Sequence, residues 1–359
     1  MPTLELLQEA ERQLTICNAC RYCEGYCAVW PAMERRSIFK EADLLYLANL
    51  CHDCRDCLYA CQYAPPHAFA VNPPRVFAEL RTETYRDYAA PRLLSQVLSR
   101  TWLLVCISVL AILVYVFAVN GVTALWTPQV GPESFYRVVP YAAMVTAFLV
   151  VGGYVLAALV LGGMRFWRDT GGTLGQVVSL SAFMRATTDA FGLRYLGGEG
   201  VGCTYPAASF SQQRRWLHHL VFYGFLLDFA STTLAAITDH VFGVPAPYPL
   251  YHPVVVLGTV GGVALGLGCA GLLWLKWRSD RVPAAERMQR MDVAFLIMLL
   301  LTAVTGLLLL VLRDTAAMGA LLVVHLGVVA GLFLTMPYGK FAHMVYRYAA
   351  LVRNAIEST

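Results

Sequence analysis

The 359 residues are 58% hydrophobic and only 14% charged. That is too little charge to solvate two or three soluble domains, and it excludes a disordered chain, a collagen-like repeat and a secreted disulfide scaffold. A net charge of +4 is too small to argue for nucleic acid as a partner.

The chain opens with a polar, cysteine-rich segment, residues 1–100, that ends in a basic connector carrying Arg75, Arg81, Arg86, Arg92 and Arg100. Met1 to Ala10 has neither a basic lead nor an apolar core, so no cleavable leader is expected. The cysteines are therefore expected in the cytoplasm, where thiols stay reduced and serve metals or catalysis. Eight of the 11 cysteines lie before residue 62, in two runs of one spacing: Cys17, Cys20, Cys23, Cys27 and Cys51, Cys54, Cys57, Cys61. Such a run wraps three corners of an iron–sulfur cubane and sends its fourth cysteine to the neighbouring cluster. The spacing predicts two [4Fe–4S] clusters, one on Cys17, Cys20, Cys23 and Cys61, the other on Cys51, Cys54, Cys57 and Cys27. Structural zinc prefers two separated pairs with a long spacer. Glu41 to Leu50, between the runs, is poor in Val, Ile and Thr and reads as helix. An all-α, helical ferredoxin-like domain is expected rather than a small β-rich one, although Ala28 and Gln62 stand where a proline usually follows the fourth cysteine.

Six apolar runs follow, near 101–119, 138–161, 216–239, 253–275, 292–312 and 317–337. Each is long enough to cross a hydrocarbon core of ~30 Å. They predict a six-helix transmembrane domain over 101–345, with a loop at 162–215 and a tail at 346–359. Arginine and lysine concentrate in 162–215 (Arg165, Arg168, Arg185, Arg194), in 276–291 (Lys276, Arg278, Arg281, Arg287) and in the tail (Arg347, Arg353), whereas the alternate connections carry only Arg137 and Arg313. The positive-inside rule puts both termini of this multi-pass protein in the cytoplasm. Gly152, Gly153, Gly258, Gly261 and Gly262 are expected to permit close helix contacts. GGEGVG (Gly197 to Gly202) follows no strand and reads as a turn rather than a dinucleotide loop.

Histidines in the spans point to haem, because imidazole is the usual axial ligand of a b-type haem. His325 and His343 are five helical turns apart and share a face, while His218 and His240 lie about 40° off a common face. With span three running outward and span six inward, His218 is expected to meet His343 near the cytoplasm and His240 to meet His325 near the outside, giving one or two haems. His219 is the alternate to His218, and His252 beside Pro253 reads as interfacial. The basic, aromatic rim of Arg214, Arg215, Trp216, Tyr338 and Lys340 is the candidate quinone site. Asp228, in mid-span, reads as a proton acceptor or a buried carboxyl bonded to a neighbouring helix.

CRYCEGYCAVWPAMERR (Cys20 to Arg36), LANLCHDCRDCLYACQYAPPHAF (Leu47 to Phe69), RRWLHHLVFYGFLLDFA (Arg214 to Ala230) and HLGVVAGLFLTMPYGKFAH (His325 to His343) together resemble the TcuB/CitB family, the iron–sulfur membrane proteins of tricarballylate and citrate utilisation. The resemblance covers nearly the whole chain. It implies an oxidoreductase subunit that reoxidises the reduced FAD of a partner tricarballylate dehydrogenase into the respiratory chain. The sequence holds no flavin or nicotinamide fingerprint of its own, which agrees with a separate flavoprotein. Two other readings stand beside it. One is a heterodisulfide reductase-like membrane subunit with a thiol/disulfide donor. The other is a transporter or anchor with a metal-binding domain, which calls for broken helices and paired mid-membrane charges.

Overall fold

A computed structural model describes residues 2–358 except 96–98, 174, 177 and 178. Thr3 caps α1 (Leu4–Cys20), its Oγ1 accepting from Leu6 N at 3.3 Å. The short α2 (Val29–Glu34) leads to α3 (Glu41–Leu50), where Asp43 Oδ2 accepts from Lys40 N at 3.3 Å. A single turn, α4 (Asp56–Tyr59), precedes α5 (Pro73–Asp87), which Asn72 caps and whose first two prolines occupy positions where no amide partner is needed. Leu14, Trp30, Met33, Tyr46, Phe77 and Leu80 fill the core between these helices. The segment between the cysteine runs is α3, as its composition predicts. Among the described residues the strands are confined to one two-residue hairpin, β1 (Cys203–Thr204) with β2 (Phe210–Ser211).

Six helices are long and apolar enough to cross a membrane. The first is α6 (Thr101–Asn120). After the short α7 (Ser134–Val138) comes α8 (Tyr141–Asp169), and then the amphipathic α9 (Leu180–Phe191). The remaining spans are α10 (Gln213–His240), α11 (Pro253–Trp277), α12 (Glu286–Val311) and α13 (Met318–Thr335). The closest partners are α10 with α11, and α13 with α6. Glycine makes both approaches possible: a Cβ on Gly224 would sit 2.6 Å from Leu265 N, and one on Gly331 would sit 2.7 Å from a Val105 methyl. Gly258, Gly261 and Gly262 face neighbouring helices as expected, with Asp228 lying against Gly261. Gly152 and Gly153 do not: nothing lies within 4 Å of a Cβ at either position, because α8 meets its neighbours through other residues. His252 caps α11, its Nδ1 accepting from Val254 N at 3.3 Å, and stacks on Tyr248 with ring centres 4.6 Å apart.

The end of the chain departs from expectation. Beyond Thr335 the backbone makes two 3-10 turns, Met336–Tyr338 and Lys340–Ala342, hinged at an extended Gly339. A new helix, α14 (His343–Glu357), then begins. The segment expected as a tail, 346–359, is thus mostly helix, and Tyr346, Ala350 and Leu351 enter the same core as the cysteine domain. Tyr346 stacks on Tyr85 with centroids 5.7 Å apart. Arg36 pairs with Asp43 at 2.6 Å and with Glu357 at 2.7 Å, and Arg36 and Arg353 lie over the Tyr46 ring from 4.8 and 4.5 Å. Both chain ends therefore sit at one end of the helix bundle, here the domain end.

Candidate functional site

The two cysteine runs interlock at the domain end. Cys17, Cys20, Cys23 and Cys61 line a cavity of about 250 Å³, which Cys57 also touches. Cys27 lies beside Cys54 and near Cys51 and Cys57. The fourth cysteine of each run has crossed to the other run's group. Arg21, Asp53 and Arg55 adopt left-handed φ values of 54°, 56° and 70°, which bends the loops around the sulfurs. Asp53 N–H points at Cys51 Sγ (3.4 Å) and Tyr63 N–H at Cys61 Sγ (3.3 Å). Among the described residues no three His, Cys, Asp or Glu side chains converge on a single-ion site. Burial, and after it the neighbouring sulfurs, pushes Cys17 and Cys23 up to about 12. Thiols placed this way become thiolates only when a cation replaces the lost solvation, as an iron centre would. The first group reaches the surface at Cys20, and the second, with Cys51 and Cys54 buried, faces the membrane half.

A larger cavity, about 1170 Å³, lies between that second group and the spans. His218 of α10 and His343 of α14 enter it with ring centroids 6.4 Å apart and planes at 75°. Two imidazoles sharing one iron through bonds of about 2.0 Å have ring centres roughly 6 Å apart. His343 Nδ1 bonds the carbonyl of Lys340 at 2.6 Å, which leaves Nε2 as the nitrogen able to take a metal. His218 Nδ1 is buried and, among the described residues, has no partner. Phe222, Phe225, Phe295 and Phe341 supply apolar walls, while Arg81, Arg347, Lys276 and Lys340 supply positive charge. This combination suits a flat apolar macrocycle with acidic side groups.

Arginines tie this cavity to the cysteines. Arg347, one turn after His343, donates to Cys51 O at 2.8 Å. Arg214, one turn before His218, donates to His52 O at 3.2 Å and also to Asp53 O. Arg81 donates to Ala48 O at 2.9 Å and Cys51 O at 3.2 Å. Both histidine-bearing helices are thus anchored to the backbone of the second cysteine loop.

The other histidines are not brought together. His240 bonds Tyr141 OH through Nε2 at 2.7 Å, and His325 bonds Thr305 Oγ1 through Nδ1 at 2.9 Å. The expected outer pair is corrected on this point: the two rings take separate partners, as α10 packs chiefly along α11 and α13 along α6. His219 points away from the cavity, between Trp216 (5.8 Å) and Tyr223 (5.7 Å). The expected quinone rim is also divided. Arg214 is spent on the cysteine loop, Arg215 donates to Gly192 O at 2.8 Å, and Trp216 is exposed. Tyr338 is buried, donating to Ala90 O at 2.9 Å and touching Tyr154 OH. Lys340 Nζ pairs with Asp292 Oδ1 at 2.8 Å, and Asp292 Oδ2 takes Lys276 Nζ at 2.6 Å.

The sequence reading missed Arg81, Arg347, Asp292 and Cys203. Cys203 lies beside Cys54, its Sγ donating to Leu196 O at 3.4 Å, while Thr204 N donates to Asp56 Oδ1 at 2.7 Å. The glycine-rich turn at 197–202 therefore delivers a hairpin onto the second cysteine group. The chain's tenth cysteine, just after that turn, was the available signal.

Residues 94–359 match the family model of citrate utilization protein B, and residues 10–90 match the Fer4-like domain of the same protein. The chain belongs to the citrate utilization protein B family. Among curated relatives, citrate utilization protein B of Escherichia coli is 44% identical over 353 residues, covering 97% of this chain and 92% of the relative. No solved structure matches the chain. For a member of the citrate utilization protein B family, the Fer4-like region coincides with the two interlocked cysteine groups, and the region matched over 94–359 carries the six apolar helices and both cavity histidines.

Proposed function

We propose that this protein reoxidises the reduced FAD of a separate dehydrogenase acting on tricarballylate or a related tricarboxylate, and delivers the electrons to membrane quinone from the cytoplasmic side. Bound at the sites described, two [4Fe–4S] clusters and one b-type haem would supply one-electron carriers between a two-electron donor and a two-electron acceptor. Cys17, Cys20, Cys23 and Cys61 would hold the surface cluster, Cys51, Cys54, Cys57 and Cys27 the inner one, and His218 with His343 the haem.

The observation that carries this reading is the anchoring of Arg214 and Arg347 on the second cysteine loop, each one turn from a cavity histidine. It holds the two sites in a fixed relation and keeps the gap between them short. The chain's other residues prepare the site for charge. Lys340 O orients His343, phenylalanines exclude water, and the arginines and Lys276 offset acidic groups without a proton having to move.

The test is the reduced-minus-oxidised visible spectrum and haem content of purified His343→Ala and His240→Ala proteins. His343→Ala should lose the haem bands and keep the iron–sulfur signal, and His240→Ala should match the parent. A His343→Ala protein with full haem content would remove the proposal for the histidine pair.

A further inference from the structure

A second large space lies beside the histidine cavity. It is a groove of about 1190 Å³ at the domain end of the spans, opening between the start of α6 and α12. Its depth is apolar (Val293, Ala294, Ile297, Met298, Leu332, Met336), and its mouth is polar (Arg86, Arg287, Arg290). Trp102, half-exposed, stands at the lipid side. The groove and the histidine cavity share three lining residues: Phe295, Lys340 and Phe341. Phe341 lies 6.2 Å from Phe295 and, on the cavity side, 5.7 Å from Phe225, centroid to centroid. One aromatic layer thus separates the two spaces.

Lys340 sets the chemistry of that partition. An ammonium group has three N–H donors. Asp292 Oδ1 lies 2.8 Å away as an ion pair and Met288 Sδ accepts one N–H at 3.3 Å, so the ammonium keeps donor capacity for a further acceptor. With Lys276 on the other carboxylate oxygen, the Lys276–Asp292–Lys340 triad carries one net positive charge. A ligand suited to this groove has a flat head with carbonyl oxygens that gain negative charge on reduction, and a long apolar tail that leaves between α6 and α12 into lipid.

We infer that this groove is the quinone-binding site, with Lys340 donating to a head-group carbonyl oxygen across the partition from the histidine pair. The inference rests on the electron-transfer reading above and gives it an exit. The quinone takes up two electrons, which arrive one at a time from the iron centres after leaving the donor's reduced flavin. It takes up two protons from water at the arginine-lined mouth and leaves as quinol. Of the rim expected at Arg214, Arg215, Trp216, Tyr338 and Lys340, only Tyr338 and Lys340 line this groove.

The test uses the full-length protein in detergent with decylubiquinone as the probe, and binding is measured directly by calorimetry. Ala294→Trp and, on a second position, Val293→Trp fill the groove. Val304→Trp alters the same helix on its exposed face and should leave binding unchanged. The parent should bind saturably, and each filling variant should bind at least about tenfold more weakly. Parent-like affinity in the filling variants overturns the inference. So does the absence of saturable binding in the parent, which would mark the groove as a lipid crevice. Haem and iron–sulfur spectra of the same samples separate the two ideas. Normal spectra without quinone binding would reject the groove alone, whereas groove-dependent binding to a protein without haem would reject the reading of the histidine pair alone.

Discussion

Asp292 holds two ammonium groups at the domain end of the bundle, and replacing it by asparagine tests how much of the site depends on that charge. Its oxygens lie 2.6 Å from Lys276 Nζ and 2.8 Å from Lys340 Nζ, and the three side chains are 15%, 22% and 19% exposed. Removing one partner of a fully buried pair costs about 3–5 kcal/mol, because the charge left behind has lost its water. Here each lysine keeps some solvent, so the expected cost of Asp292→Asn is about 2–4 kcal/mol. The triple variant Lys276→Met, Asp292→Leu, Lys340→Met removes every charge together and should fall within about 1 kcal/mol of the parent. Unfolding in mixed micelles of rising SDS fraction, followed by circular dichroism, measures both. A single variant indistinguishable from the parent, or a triple variant as unstable as the single, would refute the reasoning. Asp292→Asn also frees Lys340 from its orientation, so decylubiquinone binding should weaken in the same protein.

On the proposed crossed pairing, Cys61→Ser removes the fourth ligand of the surface cluster and leaves the inner one whole, so iron should fall by about half while one electron paramagnetic resonance signal survives. Loss of both signals would contradict the crossed pairing. Gly224→Leu places a side chain where even a Cβ comes within 2.6 Å of Leu265 N. Parting α10 from α11 should cost at least about 1–3 kcal/mol in the same micelle titration and should lower haem content through His218. Parent-like stability and haem content would show that the contact can relax.

The architecture was open to a sequence reader where one local rule governed it. Apolar runs of span length give the six helices, and ligand spacing places Cys27 and Cys61 in the groups where the structure finds them. His218 and His343 do meet, but not for the reason that counting turns supplies. The count ran one straight helix through Pro337, whereas the chain breaks at Gly339 and starts afresh at His343. The same count failed for His240 and His325, because which spans lie side by side is not encoded in the periodicity of either one. Arg347 on Cys51 O, Cys203 on Cys54 and Lys340 on Asp292 were out of reach for a related reason: each contact joins segments far apart in the chain, through packing that no short window contains. The rim of Arg214 to Trp216 looked like one surface because its residues are adjacent in sequence, and helix geometry sends them in different directions.

Helix α14 has a consequence for how the protein is made. It supplies His343 and Arg347 to the cavity and Tyr346 to the core of the cysteine domain, yet it follows all six spans in the chain. The cysteine domain emerges first from the ribosome and must wait, with part of its apolar core uncovered, until the last membrane helix has been inserted. Only then can the second histidine and its neighbouring arginine arrive. Assembly of the histidine cavity is thereby made conditional on completion of all six spans, so a chain stalled or misinserted at any span presents an open domain and half of the cavity.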